Sequence, residues 1–546
     1  MTTDDLEAAG GLTVRGAGLV EGAESTRAQL VKDGVPGLLA QKDPTLWGED
    51  AEAESKIRLG WVDTATRSRE LVPALAALRE ELSDLDHVVL AGMGGSSLAP
   101  EVIALTLGLR LTVLDTTDPH QVRTALADRL DRTVVVVASK SGSTVETDSH
   151  RRAYWQAFAD AGLPEAEIGR HFVIVTDPGS PLEATAREMG AHLILADPEV
   201  GGRYSALTAF GLVPTALAGA DVAELLDQAD ELARTIASGG DNPALALGAA
   251  LGAAALAGRD KVALVDDGTG ITGLGDWAEQ LIAESTGKLG RGILPVVVET
   301  PTSPGATGDD VLTVTTGGAL APATFPGGGV APDVAVNGPL GAQFLAWEVA
   351  TALAGRVLGI NPFDQPNVTE SKDNTKAILT NGAPAETPLF TDGAVEVYAE
   401  NLGSPETLAE ALTALIAAAG ADGYIAAMAY LDRFGDADAA LVRPELARAS
   451  GRPVTFGWGP RFLHSTGQYH KGGPQVGAYL QVTGAVTDDL DVPGQPYTFG
   501  VLQAAQAAGD RQALAGRGRP LLRLHLTDRA AGVAELVAAA RRLATA

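Results

Sequence analysis

The sequence predicts an α/β protein built from doubly wound parallel sheets, and three observations carry that prediction. Short apolar runs at 87–91, 111–115, 133–138, 172–176 and 192–196 are separated by helical stretches. Near Asp241 the alternation restarts, with runs at 261–265, 293–298, 311–315 and 333–336. The clearest run, the four valines from Val134, is short, β-branched and bounded by polar turn residues. It therefore reads as a strand buried on both faces, which is what helices on both sides of a parallel sheet require.

Taken in order, residues 1–60 read as a helical, irregular cap. Residues 61–240 form the first doubly wound unit and 241–384 the second. Residues 316–330 are rich in Gly and Pro and read as a loop, either a lid or an insertion. Past about 385 the periodicity changes: helices at 406–419 and 532–544 mix with strands at 454–458, 478–483 and 521–526. Residues 385–546 are thus expected to form a C-terminal α/β extension.

Composition narrows the function. The chain has 546 residues, 45% of them hydrophobic, with a net charge of −29 and no cysteine. That charge argues against a nucleic-acid partner. No apolar run of about 18 residues is present, so no membrane partner is expected. The acidic start, Met1-Thr2-Thr3-Asp4-Asp5, lacks the apolar stretch of a secretory signal. Absence of cysteine removes disulfides, thiol catalysis and cysteine metal sites. A cytoplasmic enzyme is the expectation.

The most informative segment is 134–144, V-V-V-V-A-S-K-S-G-S-T. A strand runs into a loop dense in hydroxyls, and a helix follows. Free N–H groups and the positive end of the helix dipole suit an anion, and hydroxyls add donors. Lys140 beside a helix N-terminus is electrostatically misplaced unless an anion lies between them. The bland alternative is helix capping, which needs one hydroxyl and not four. A phosphate is expected here, although the mononucleotide loop pattern is missing.

Other candidates are individually weaker. The turn from Gly92 through Gly95 to Ser96 and Ser97 follows a strand, where open α/β sheets bind ligands; tight packing explains it equally well. Its third fingerprint glycine is missing, which counts against a nucleotide-binding oxidoreductase. Arg203, in G-G-R-Y-S, is either paired to an acid or set in a backbone kept bare for close approach. Asp276 is expected to cap a helix over 277–285, placing Glu284 in the last turn, where the dipole raises its pKa. The competing reading is a surface Glu paired with Lys288 at i, i+4. Lys372 and Lys376 share a predicted helix, usually a solvated face. His464 and His470 lie in a densely polar stretch, but their spacing is unusual for zinc and no third ligand is evident, so no metal is expected. The other histidines read as structural.

These segments, in this order, resemble phosphoglucose isomerase: G-M-G-G-S-S-L-A-P-E, S-K-S-G-S-T-V-E-T, G-G-R-Y-S, A-E-S-T-G-K and N-P-F-D-Q-P-N-V-T-E-S-K. The whole length resembles the isomerase half of fused transaldolase–isomerase proteins. The resemblance implies two sugar-isomerase (SIS) domains, a homodimer, no cofactor, and a sugar-phosphate substrate interconverted between aldose and ketose. It places the phosphate on Ser139, Lys140, Ser141 and Thr144, and lines the site with Gly95, Ser96 and Gln365. It makes Glu284 the base, Arg203 the group that steadies the enediolate, and Lys372 an aid to ring opening. The family's ring-opening histidine is absent between Glu284 and Asn361, so His464, or else His470, is expected to act from a displaced segment, with Lys372 and water as the alternative. A dual phosphoglucose/phosphomannose isomerase and a non-catalytic SIS sugar-phosphate regulator are the competing functions. Retention of Glu284, Arg203 and Lys372 counts against the regulator.

Overall fold

The computed structural model describes residues 5–320, 331–382 and 386–545. Three sheets organise the chain. The first contains Thr112–Leu114, His87–Gly92, Thr133–Ala138, Phe172–Thr176 and His192–Leu195 side by side in that order, all parallel. Strands His87–Gly92, Thr133–Ala138 and Phe172–Thr176 are buried along their whole length, as their uninterrupted apolar sequence requires. The strand order reverses between His87–Gly92 and Thr133–Ala138. That switch point opens a crevice at the carboxyl ends of these two strands.

In the second sheet Val334–Asn337, Val311–Gly317, Lys261–Asp266 and Leu294–Val297 are parallel neighbours. One edge is extended by a hairpin, Leu6–Ala9 and Leu12–Arg15, whose second strand pairs antiparallel with Val334–Asn337. This differs from the helical reading of the N-terminus. Gly10 and Gly11 both take positive φ, 58° and 72°, as the two central residues of a tight hairpin turn must. Four-residue strands around a Gly-Gly pair carry too little alternation to stand out in sequence. Helices do fill the rest of the segment, including Ala23–Lys32 and Glu49–Ser55.

The third sheet holds Leu521–Leu526, Gly477–Gly484, Tyr424–Tyr430 and Val454–Trp458 in parallel, edged by the hairpin Phe390–Asp392 and Val395–Glu400. Its core is a separate apolar cluster around Leu412, Ile425, Leu480, Leu524 and Leu536. The first two sheets share one continuous core containing Trp61, Trp277 and Trp347. Residues 321–330, most of the expected 316–330 loop, lie outside the described residues; the preceding strand runs on to Gly317. Among the described residues no helix is long and apolar enough to cross a membrane.

Candidate active site

Both loops at the switch point of the first sheet are shaped for close approach. Gly94 has φ +54°, and a Cβ on Gly95 would sit 1.9 Å from the carbonyl oxygen of Gly202. Only glycine lets the 92–97 turn press against the 202–205 turn, where the Ser205 hydroxyl donates to the Gly95 carbonyl. The hydroxyl loop follows the neighbouring strand. Ser139 Oγ and Thr144 Oγ1 lie 2.9 Å apart, and the Gly142 amide donates to Ser139 Oγ. Helix Val145–Asp160 starts immediately after, and no side-chain cap bonds its first amides. Four hydroxyls stand at a helix N-terminus and none caps it, which removes the capping explanation for the cluster.

Lys140 departs from expectation. Its ammonium leaves the loop and pairs with Asp177 at 2.6 Å. No partner for this lysine is evident in its own segment; an acid at the end of the adjacent strand supplies one.

A cavity of about 730 Å³ opens beside the loop. Ser141, Ser143 and Thr144 line it, with Glu146, Lys372, Lys376, His464, Tyr497 and Gln506. The segment Arg461–His464 leaves the third sheet after Val454–Trp458 and brings His464 Nε2 to 3.0 Å from the carboxylate of Glu146. Glu146 is buried and also accepts from Gln506 Nε2 at 2.6 Å. Burial pushes its carboxyl up, but His464, its own backbone amide and Lys372 outweigh that and hold it below the usual value. Arg461 anchors the histidine segment to the first unit: its guanidinium bonds Asp115 at 2.9 Å and Glu101 at 2.6 Å. Asp115 in turn accepts from Ser97 of the 92–97 turn.

Glu284 lies in the last turn of Leu274–Thr286, a helix that starts after Gly273, with Asp276 in its first turn and not at the cap. The competing i, i+4 pairing does not form: Lys288 turns to the Asp364 carboxylate and the Asn361 carbonyl. Glu284 Oε2 instead meets Arg203 Nη1 at 3.2 Å, and both side chains are buried. Arg203 Nη2 donates to the carbonyls of Phe363 and Asp364, so the turn between Pro362 and Pro366 fixes its orientation. Burial pushes the Glu284 carboxyl up, and the charges of Arg203, His464, Lys288 and Lys372 only partly offset it. His464 and Lys372 therefore act electrostatically on both Glu146 and Glu284, although Glu284 and Arg203 do not themselves line the 730 Å³ cavity.

The structure thus gathers Ser141, Thr144, Lys372 and His464 around one cavity, with Ser139 supporting the loop and Glu284 with Arg203 beside it. Ser96 is buried in its turn and is not among the lining residues. Gln365 is exposed and is not among the lining residues. His470, the other candidate, does not line this cavity. It is buried among Tyr424, Tyr479 and Phe462, with neither ring nitrogen bonded. Glu146 is a cavity-lining residue that the sequence reading does not single out, although its position in V-E-T, just inside the helix start, is where a carboxylate suits the dipole.

Residues 79–291 match the phosphoglucose isomerase family model. That stretch is less than half of the chain. It begins just before the first sheet and ends just past Glu284. A probable glucose-6-phosphate isomerase of Haloarcula marismortui is 36% identical over 222 residues, 39% of this chain and 50% of that protein. A glucose-6-phosphate isomerase of Thermus thermophilus is 35% identical over 206 residues, 35% of this chain and 48% of that one. The chain spans about half the length of these curated relatives. Among solved structures, a hypothetical protein of Thermus thermophilus aligns with a TM-score of 0.57 at 23% identity, over 69% of this chain and all of that one. A glucose-6-phosphate isomerase of Chlamydia trachomatis aligns with 0.53 at 20% identity, over 69% and 89%. These two likenesses show the fold alone, an α/β architecture built on parallel sheets.

Proposed function

We propose that the chain is a glucose-6-phosphate isomerase, interconverting glucose 6-phosphate and fructose 6-phosphate, with Glu284 as the base. The observation that carries this reading is a buried carboxylate, raised by burial, held against a fixed guanidinium next to a hydroxyl-lined anion loop. In the mechanism, His464, held by Glu146 and assisted by Lys372, moves the proton that opens the sugar ring. Glu284 then removes the C2 proton; the electron pair forms the C1–C2 double bond, and O1 takes the negative charge. Arg203 is a pre-positioned cation for that charge, so little reorganisation opposes the step. The proton on O2 then passes to O1, and as C2=O2 forms the C1–C2 double bond takes the proton back from Glu284 at C1, which completes the ketose. A carboxylate base poised above its ordinary range suits abstraction beside a carbonyl.

The reading includes a homodimer in a cytoplasmic setting. The groups just named come from one chain, so a second copy is not needed to supply them.

The test is interconversion of the two sugar phosphates in EDTA by wild type and by Glu284→Gln. Activity in the first, and a fall of roughly 10²–10⁴-fold in the second with sugar-phosphate binding retained, supports the assignment. Turnover near wild type in Glu284→Gln would exclude it as the base, and an inactive wild type would shift the reading to a sugar-phosphate-binding regulator.

A further inference from the structure

We infer that Lys376 is the cation that neutralises the substrate's phosphate at the mouth of the cavity. The inference rests on the sugar-phosphate reading above and adds the charge that reading lacks once Lys140 is paired to Asp177.

An anion approaching a chain of net charge −29 needs a local cation that is not already neutralised. Lys42, Lys56, Lys140, Lys261, Lys288 and Lys471 each hold a carboxylate within hydrogen-bond range. Among the described residues Lys32, Lys372 and Lys376 have no such partner. Lys32 ends the surface helix Ala23–Lys32, where the helix dipole accounts for it. The other two line the same cavity as the hydroxyl loop.

Their surroundings divide the work. The buried part of the cavity wall includes Glu146, Ser371, Thr375, Lys471 and Gln506, and the exposed part includes Ser141, Ser143, Lys372, Lys376 and Thr380. Lys372, one residue from buried Ser371, acts on the buried carboxylates Glu146 and Glu284 and so serves the reacting end. Lys376 is four residues further along helix Thr369–Asn381, about 6 Å of rise, and shares the exposed mouth with Ser141 and Ser143. Two lysines at i, i+4 present one face, so both meet the same ligand, one turn of helix apart. Hydroxyls, uncapped helix amides and an ammonium are together the donor set that a phosphate dianion takes.

The test is titration of the full chain with inorganic phosphate by calorimetry, alongside KM for fructose 6-phosphate. Lys376→Met is expected to weaken phosphate binding about tenfold, the scale of one charge-assisted contact, and to raise KM more than it lowers kcat. Lys376→Arg keeps the charge and should restore most of the affinity. Lys32→Met removes the same charge elsewhere and should change neither quantity. Phosphate binding unchanged in Lys376→Met, or lost in Lys140→Met instead, would overturn the inference. Calorimetry does not depend on turnover: a wild type that binds phosphate through Lys376 but fails to isomerise would sink only the proposed function.

Discussion

In the second sheet, strands Val334–Asn337, Val311–Gly317, Lys261–Asp266 and Leu294–Val297 lie in that order behind an antiparallel hairpin. In the third, Leu521–Leu526, Gly477–Gly484, Tyr424–Tyr430 and Val454–Trp458 repeat the order behind a hairpin of their own. The parallel strand that comes first in the chain follows an apolar helix in both, Pro243–Leu256 in one and Leu408–Ala418 in the other. The plan is the same, yet the contributions differ. The second unit sends a long helix from that first strand and delivers Glu284 near the helix end. The third sends a short turn from its next strand and delivers His464. Shared topology therefore leaves open which chemistry each segment carries: Glu284 stands near the far end of the helix that follows a strand, and His464 in the turn that leaves one directly.

This division of labour can be broken experimentally. The largest effect is expected from Glu284→Gln, which should lower turnover of every substrate, cyclic or not, by up to roughly 10⁴-fold. His464→Ala should lose roughly 10²-fold or more on hexose phosphates but far less on a tetrose 4-phosphate, which cannot close a ring. Equal losses on both would show that the third unit's histidine does more than open rings. Glu146→Gln removes the partner of His464 and should follow the same pattern with a smaller loss, about tenfold, measured as the ratio of the two substrates' kcat/KM.

The pH profile sharpens the picture further. Glu284 must be ionised to act as a base, and burial raises its pKa, so the acid limb of the rate should lie above the ordinary carboxylate range. Arg203 pulls that pKa down. Arg203→Met should move the limb to higher pH as well as slowing the reaction, and a limb that stays put would mean Arg203 does not act on Glu284. The smallest effect belongs to Lys140→Met: loss of a partly exposed ion pair costs about 0–1 kcal/mol in denaturant unfolding, with KM unchanged.

Much of this is legible in the chain. The strands of the first unit fall within about a residue or two of their apolar runs, because fully buried strands leave a continuous signal. The anion loop is legible for the same reason, a sharp change from valines to hydroxyls. Pairings across the fold are not. Glu284 and Lys288 stand at helical spacing, but Asp364, brought in by the proline turn, takes the lysine. Lys140 has no visible partner until the sheet sets Asp177 beside it. Lys376 reads as solvated because nothing local says that its helix walls a cavity. His464 and His470 lie six residues apart, and only packing decides that one reaches Glu146 while the other joins Tyr424 and Tyr479.

The Gly10–Gly11 hairpin has a bearing on how this protein is made. Its outer contacts are with residues more than three hundred positions later: the Thr13 hydroxyl donates to the Asn337 carbonyl across 324 residues. At about 5–20 residues per second of synthesis, residues 12–15 wait on the order of tens of seconds for their partner strand to emerge. The five strands of the first sheet all appear during that interval and can pair in the order in which they are translated. The hairpin thus settles only after the first sheet has been made, and its exposed edge must be kept from other nascent chains until Val334–Asn337 emerges.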